Sequence, residues 1–127
     1  MAYLWVAFGG ALGSVARFAC SGVAARWLGV GFPYGTLFVN VTGSYVIGVL
    51  GTLALASDRA LSTTDARAFL IVGILGGFTT FSSFSLETLN LARAGNLGGA
   101  AANILLSLVL CLVAVWLGYA SATAFSR

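Results

Sequence analysis

The chain has 127 residues, 60% hydrophobic and only 7% charged, whereas a soluble domain carries about 25% charged residues. With a mean hydropathy of +1.03, too little polar surface remains to face water, so a soluble globular domain is excluded. Six Arg scattered along the chain against three acids, with no Lys and no His, give a net charge of +3, which excludes a basic nucleic-acid face and any histidine catalysis or ligation.

A membrane-spanning helix needs roughly 20 mostly apolar residues, and four segments qualify, at about 3–25, 34–56, 68–92 and 99–125. The sequence therefore predicts a single all-α transmembrane domain over 1–127. The start, Met-Ala-Tyr-Leu-Trp-Val-Ala, has no positive region of the kind that opens a secretory signal, so the first helix is expected to persist in the mature protein. That helix carries Gly9 and Gly13 in a G-x-x-x-G pair, as the third carries Gly73 and Gly77. Such pairs serve close packing, either within one chain or between two. Arg17 lies about 20 Å along the first helix from Leu4 at 1.5 Å per residue. It either reaches to the interface or sets a positive potential at an anion entrance.

In the second segment Thr36, Asn40 and Ser44 recur every four residues and share one stripe. The third contains Gly76-Gly77-Phe78-Thr79-Thr80-Phe81-Ser82-Ser83-Phe84-Ser85. Gly costs about 1 kcal/mol against Ala in a helix, and Thr is stiff and competes for backbone hydrogen bonds. A helix break is therefore predicted mid-span, and its freed carbonyls require protein, water or an ion. Phe81 and Phe84 share a face just beyond it, and the positive edge of an aromatic ring favours a dehydrated anion. Packing alone is the competing role for the pair. Glu87, the one acid near a span, is expected either against an Arg or away from an anion path. In the fourth segment Asn103, Ser107 and Cys111 repeat the four-residue stripe. Cys20 and Cys111 lie in apolar runs at no metal-binding spacing, and both are expected to be reduced thiols. Neutral donors in stripes suit an anion held weakly and released, or else join helix to helix.

Arg59, Arg67 and Arg127 fall on one side of the predicted membrane, Arg26 and Arg93 on the other. Loop Arg/Lys bias sets orientation, so this near balance predicts insertion both ways up, with a fixed topology carrying a weak signal as the competing reading.

Three motifs in order resemble the small fluoride channel family (Fluc, also called CrcB). They are Gly9-Gly10-Ala11-Leu12-Gly13-Ser14-Val15-Ala16-Arg17, Gly35-Thr36-Leu37-Phe38-Val39-Asn40-Val41-Thr42-Gly43-Ser44 and Gly76-Gly77-Phe78-Thr79-Thr80-Phe81-Ser82-Ser83-Phe84. The resemblance covers essentially the whole chain. It implies an antiparallel, dual-topology homodimer in the bacterial inner membrane, with two fluoride pores built from both chains. It implies a fluoride pathway at Asn40, Thr36, Phe81, Phe84 and Ser83, joined by Thr80 and, from the fourth helix, by Asn103 and Ser107. Asn103 stands where some members have a pore Tyr. Arg17 matches a vestibule arginine. The carbonyls of Gly76 and Thr79 match a structural Na⁺ site on the dimer axis. The implied partners are fluoride, Na⁺, lipid and a second copy, and the implied activity is passive fluoride export without an enzymatic step. The rival reading is a small dual-topology drug-efflux antiporter. It would want a carboxylate in the first helix, and that helix has none.

Overall fold

The computed structural model describes residues 1–55, 61 and 63–126. Arg59 and Arg127, on which the charge balance partly rests, lie outside the described residues, as does Ala56 at the expected end of the second span. The elements in order are α1 (Ala2–Leu28), α2 (Tyr34–Leu55), α3 (Thr64–Arg67), a π-helical segment Ala68–Leu75, α4 (Gly76–Phe78), α5 (Phe81–Arg93) and α6 (Leu97–Phe125). The stretch Thr64–Arg93 forms one interrupted span, so four segments are long and apolar enough to cross a bilayer. The chain is thus an all-α, multi-pass membrane protein.

Three spans are longer than composition indicated. α1 runs on to Leu28 and α6 begins at Leu97. The third span starts at Thr64, because Thr63 caps α3 by accepting from the Ala66 N–H at 3.2 Å. Polar residues can open a helix at the membrane surface, where hydropathy gives no signal. α1 ends at Gly29, whose φ of +83° suits a residue without Cβ.

The break in the third span exchanges helical partners. Its first half packs along α1, its second half (α5) packs against α6, and α2 and α6 form the most extensive pair. Glycine allows the closest approaches. A Cβ on Gly13 would meet the Ile74 carbonyl and lie 2.8 Å from the Phe78 nitrogen. A Cβ on Gly9 would lie 3.0 Å from Gly73 Cα. Both G-x-x-x-G pairs are therefore used within one chain.

The π-helical segment was not legible in the sequence. Its last turn includes a Gly76 N–H that reaches back to the Ile71 carbonyl, which widens the helix directly before the break. The exterior is strongly apolar: Phe18, Val30, Leu55, Leu112 and Trp116 are among many large exposed side chains. Such a surface suits lipid or another copy of the chain.

Candidate functional site

The break is confined to Thr79 and Thr80, both in extended conformation. Asn40 fills the gap from α2. Its Nδ2 donates to the Thr80 carbonyl at 2.9 Å, and the Thr80 N–H donates to Asn40 Oδ1 at 2.8 Å. One amide thus satisfies both backbone groups of a residue that has left the helix, as the bilayer interior demands. Thr80 then caps α5: its Oγ1 accepts from the Ser83 N–H at 3.2 Å. The same hydroxyl donates to Ser83 Oγ at 3.1 Å and lies 3.2 Å from Ser82 Oγ.

These bonds leave two carbonyls without their helical donors. In a continuous helix the Thr80 N–H would bond Gly76 and the Ser83 N–H would bond Thr79. Here the first goes to Asn40 and the second to the Thr80 hydroxyl. Gly76 itself is exposed and Thr79 half-buried. Their carbonyls are oxygen donors of the kind that hard cations accept.

A cleft of about 400 Å³ opens beside the break. It is lined by Asn40, Gly76, Thr79, Thr80, Phe81, Phe84 and Ser107, with Ser44, Cys111 and apolar side chains. The fold thus gathers seven sequence-predicted positions from three spans. The Phe81 and Phe84 rings lie 5.3 Å apart and are tilted by 50°. Phe84 is half-buried, whereas Phe81 is 77% exposed, so one chain leaves the cleft open on that side.

Four other expected positions do not line this cleft. Ser83 lies one residue into α5, bonded to Thr80. Arg17 stands one turn past Gly13, which abuts Phe78, and α1 runs parallel to the first half of the third span. Arg17 is therefore about level with the break, some 16 Å short of the end of α1 at 1.5 Å per residue.

Thr36 opens instead on a second cleft, of about 500 Å³, between the end of α1, the start of α2 and the end of α5. Its hydroxyl donates to Glu87 Oε1 at 2.8 Å. Among the described residues Glu87 Oε2 is buried without a hydrogen-bond partner. Of the two expectations for Glu87 the pairing with an Arg is therefore not met, and the carboxylate stands at the second cleft and not at the one beside the break. Arg93, six residues along the same helix, lies about 9 Å further along its axis.

Asn103 is 1% exposed and donates from Nδ2 to Thr88 Oγ1 at 2.9 Å. Thr88 was missed by the sequence reading. Its only signal is its place one turn beyond Phe84.

An interrupted span, an aromatic pair and a largely apolar cleft bearing a few polar groups together mark a small multi-pass membrane protein. A family profile described as CrcB-like protein, Camphor Resistance (CrcB), matches residues 4–119. The chain belongs to the CrcB family. It is 58% identical over 94% of its length to a protein named fluoride-specific ion channel FluC from Opitutus terrae, covering 91% of that relative. Proteins of the same name from Methylocella silvestris and Thermus thermophilus are 50% and 52% identical, over 100% and 92% of this chain and 97% and 91% of their own lengths.

Proposed function

We propose that this chain is a fluoride-selective channel that lets fluoride leave the cytoplasm passively. The carrying observation is its 58% identity, over nearly its whole length, to a relative named fluoride-specific ion channel FluC. The cleft supplies a physical rationale. Ring edges at Phe81 and Phe84 favour a small anion that has shed its water. Asn40 and the Ser107 hydroxyl add neutral donors. The break also turns the positive end of the 13-residue α5 toward the same place. Arg17, level with the break, raises the local potential for anions.

Thr36, Thr80, Ser83 and Asn103 belong to the reading in different ways. Thr80 lines the cleft and Ser83 backs it. Thr36 is tied to Glu87 at the neighbouring cleft, which keeps the carboxylate off the pathway. Asn103 stands behind the cleft wall.

Two chains in opposite orientation close the cleft at Phe81 and double the carbonyl set of Gly76 and Thr79 to four. Na⁺ is the cation proposed there. When bound, it supplies a central positive charge that ties the two breaks together, and the carbonyls satisfy its coordination.

The physiology follows from acid–base chemistry. Protonated fluoride is neutral, crosses the bilayer, ionises in a near-neutral cytoplasm and is trapped. A selective pore releases it down its electrochemical gradient with no covalent step. The test is fluoride efflux from liposomes reconstituted with purified protein. Fluoride flux well above that of protein-free liposomes, with chloride largely excluded, is the expected result. A fluoride flux equal to that of empty liposomes overturns the reading.

A further inference from the structure

Helix α5 carries the aromatic pair, yet none of its residues is buried. Within a single chain its packing is therefore incomplete, and polar contacts to neighbouring helices help to set its position. Among the described residues, side-chain hydrogen bonds join the break and α5 to other helices at three places. Asn40 holds Thr80, Thr36 holds Glu87, and Asn103 holds Thr88. The first two run to α2, and only the third runs to α6.

That third contact continues into the cleft wall. Asn103 Nδ2 donates to Thr88 Oγ1 at 2.9 Å, and the Thr88 hydroxyl donates to the Phe84 carbonyl at 2.7 Å. Because the Thr88 proton is committed to Phe84, its oxygen must accept from Asn103, which fixes the direction of the amide. Asn103 is 1% exposed, and among the described residues its Oδ1 has no partner. A buried acceptor left unpaired is costly. An Asn kept there in spite of that penalty, where Leu would pack without one, points to what its Nδ2 does.

We propose that Asn103 and Thr88 are positioning residues that hold the Phe84 ring by a hydrogen-bonded relay from α6, and that Asn103 is not an ion ligand. The relay fixes the α5 backbone at Phe84, and the half-buried ring is carried with that backbone. A few tenths of an ångström there alter the fit for fluoride against the larger chloride. This inference rests on the channel reading and assigns its selectivity to residues behind the pore.

The experiment compares fluoride and chloride efflux from liposomes for wild type, Thr88→Val, Thr88→Ser, Asn103→Ala and the double variant Thr88→Val/Asn103→Ala. Val keeps the shape of Thr and removes the hydroxyl, whereas Ser keeps it. Thr88→Val is expected to lower the fluoride-to-chloride flux ratio about tenfold, the scale of one net hydrogen bond. Thr88→Ser should keep the wild-type ratio. Asn103→Ala should match Thr88→Val, and the double variant should be no worse than the worse single one, since all three cut the same chain. A wild-type ratio in Thr88→Val overturns the relay. So do losses that multiply in the double variant, which would place Asn103 in direct contact with the ion. Should Thr88→Val not elute as wild type does in detergent, the Asn103→Ala ratio decides in its place. Wild-type protein that carries no fluoride overturns the channel reading itself, a result distinct from wild-type flux with an intact ratio in the variants.

Discussion

A single side chain, Asn40, holds the mid-membrane break closed. Its amide takes both the N–H and the C=O of Thr80. Replacing it with Leu, of similar size, leaves both groups unpaired in the bilayer interior. Each such group costs about 1–3 kcal/mol, so Asn40→Leu should unfold in detergent at markedly lower denaturant and lose fluoride flux. Asn40→Ala, whose smaller side chain leaves room for water at the break, should lose less stability and still lose flux. Stability and flux both at wild-type levels in the Leu variant would count against this assignment. The four-residue recurrence in α2 made Asn40 legible as part of a polar stripe. Its bond to Thr80 was not legible, because it joins residues 40 apart in the chain. The Thr36–Glu87 pair, 51 apart, and the Asn103–Thr88 pair, 15 apart, were hidden for the same reason. Composition ranks a lone membrane carboxylate as a group that wants a cation. Only the fold shows that a hydroxyl is what stands beside Glu87.

At the scale of elements, the four spans and the break were readable because each has a local cause. Long apolar runs make the spans, and paired Gly followed by paired Thr makes the break. The π-helical segment Ala68–Leu75 has no comparable signature. It is an apolar stretch that would read as α-helix, and its wider turns belong to the packing of the third span on α1. The G-x-x-x-G pairs left two interfaces open, within a chain or between chains. Gly9 and Gly13 against the third span settle this for α1. Gly13→Val should therefore push α1 away from the backbone at Ile74 and Phe78. Overpacking of this kind costs about 1–3 kcal/mol. Because Gly13 meets Ile74 and Phe78 of its own chain, the loss should appear as earlier unfolding of the chain at any protein concentration. Dependence on concentration would instead place Gly13 between two chains. The Gly48 and Gly118 pair, by which α2 and α6 approach backbone to backbone, has a spacing of 70 residues that no local pattern discloses.

The whole molecule is unfinished on one side. Phe81 is 77% exposed at the cleft mouth, and Gly76 lies exposed before a break that has taken away its helical donor. A bare carbonyl facing lipid is costly in the same way as any unpaired group in hydrocarbon. In the proposed antiparallel dimer, a second copy with Na⁺ between the two breaks would remove that penalty and cover the ring. Reporters fused to the C-terminus should then register on both sides of the membrane. Exchange of Na⁺ for a bulky organic cation throughout purification should shift the protein from dimer toward monomer in detergent and abolish fluoride flux together. On this proposal the two losses are coupled, because the cation's ligands would come from both chains. The size of the shift depends on protein concentration, since re-forming the dimer is bimolecular. Returning Na⁺ should restore both, whereas a cation too large for four carbonyls should restore neither. A dimer fraction and a flux that are indifferent to Na⁺ would leave the freed carbonyls of Gly76 and Thr79 to some other donor, and a reporter confined to one side would remove the antiparallel arrangement that brings four of them together.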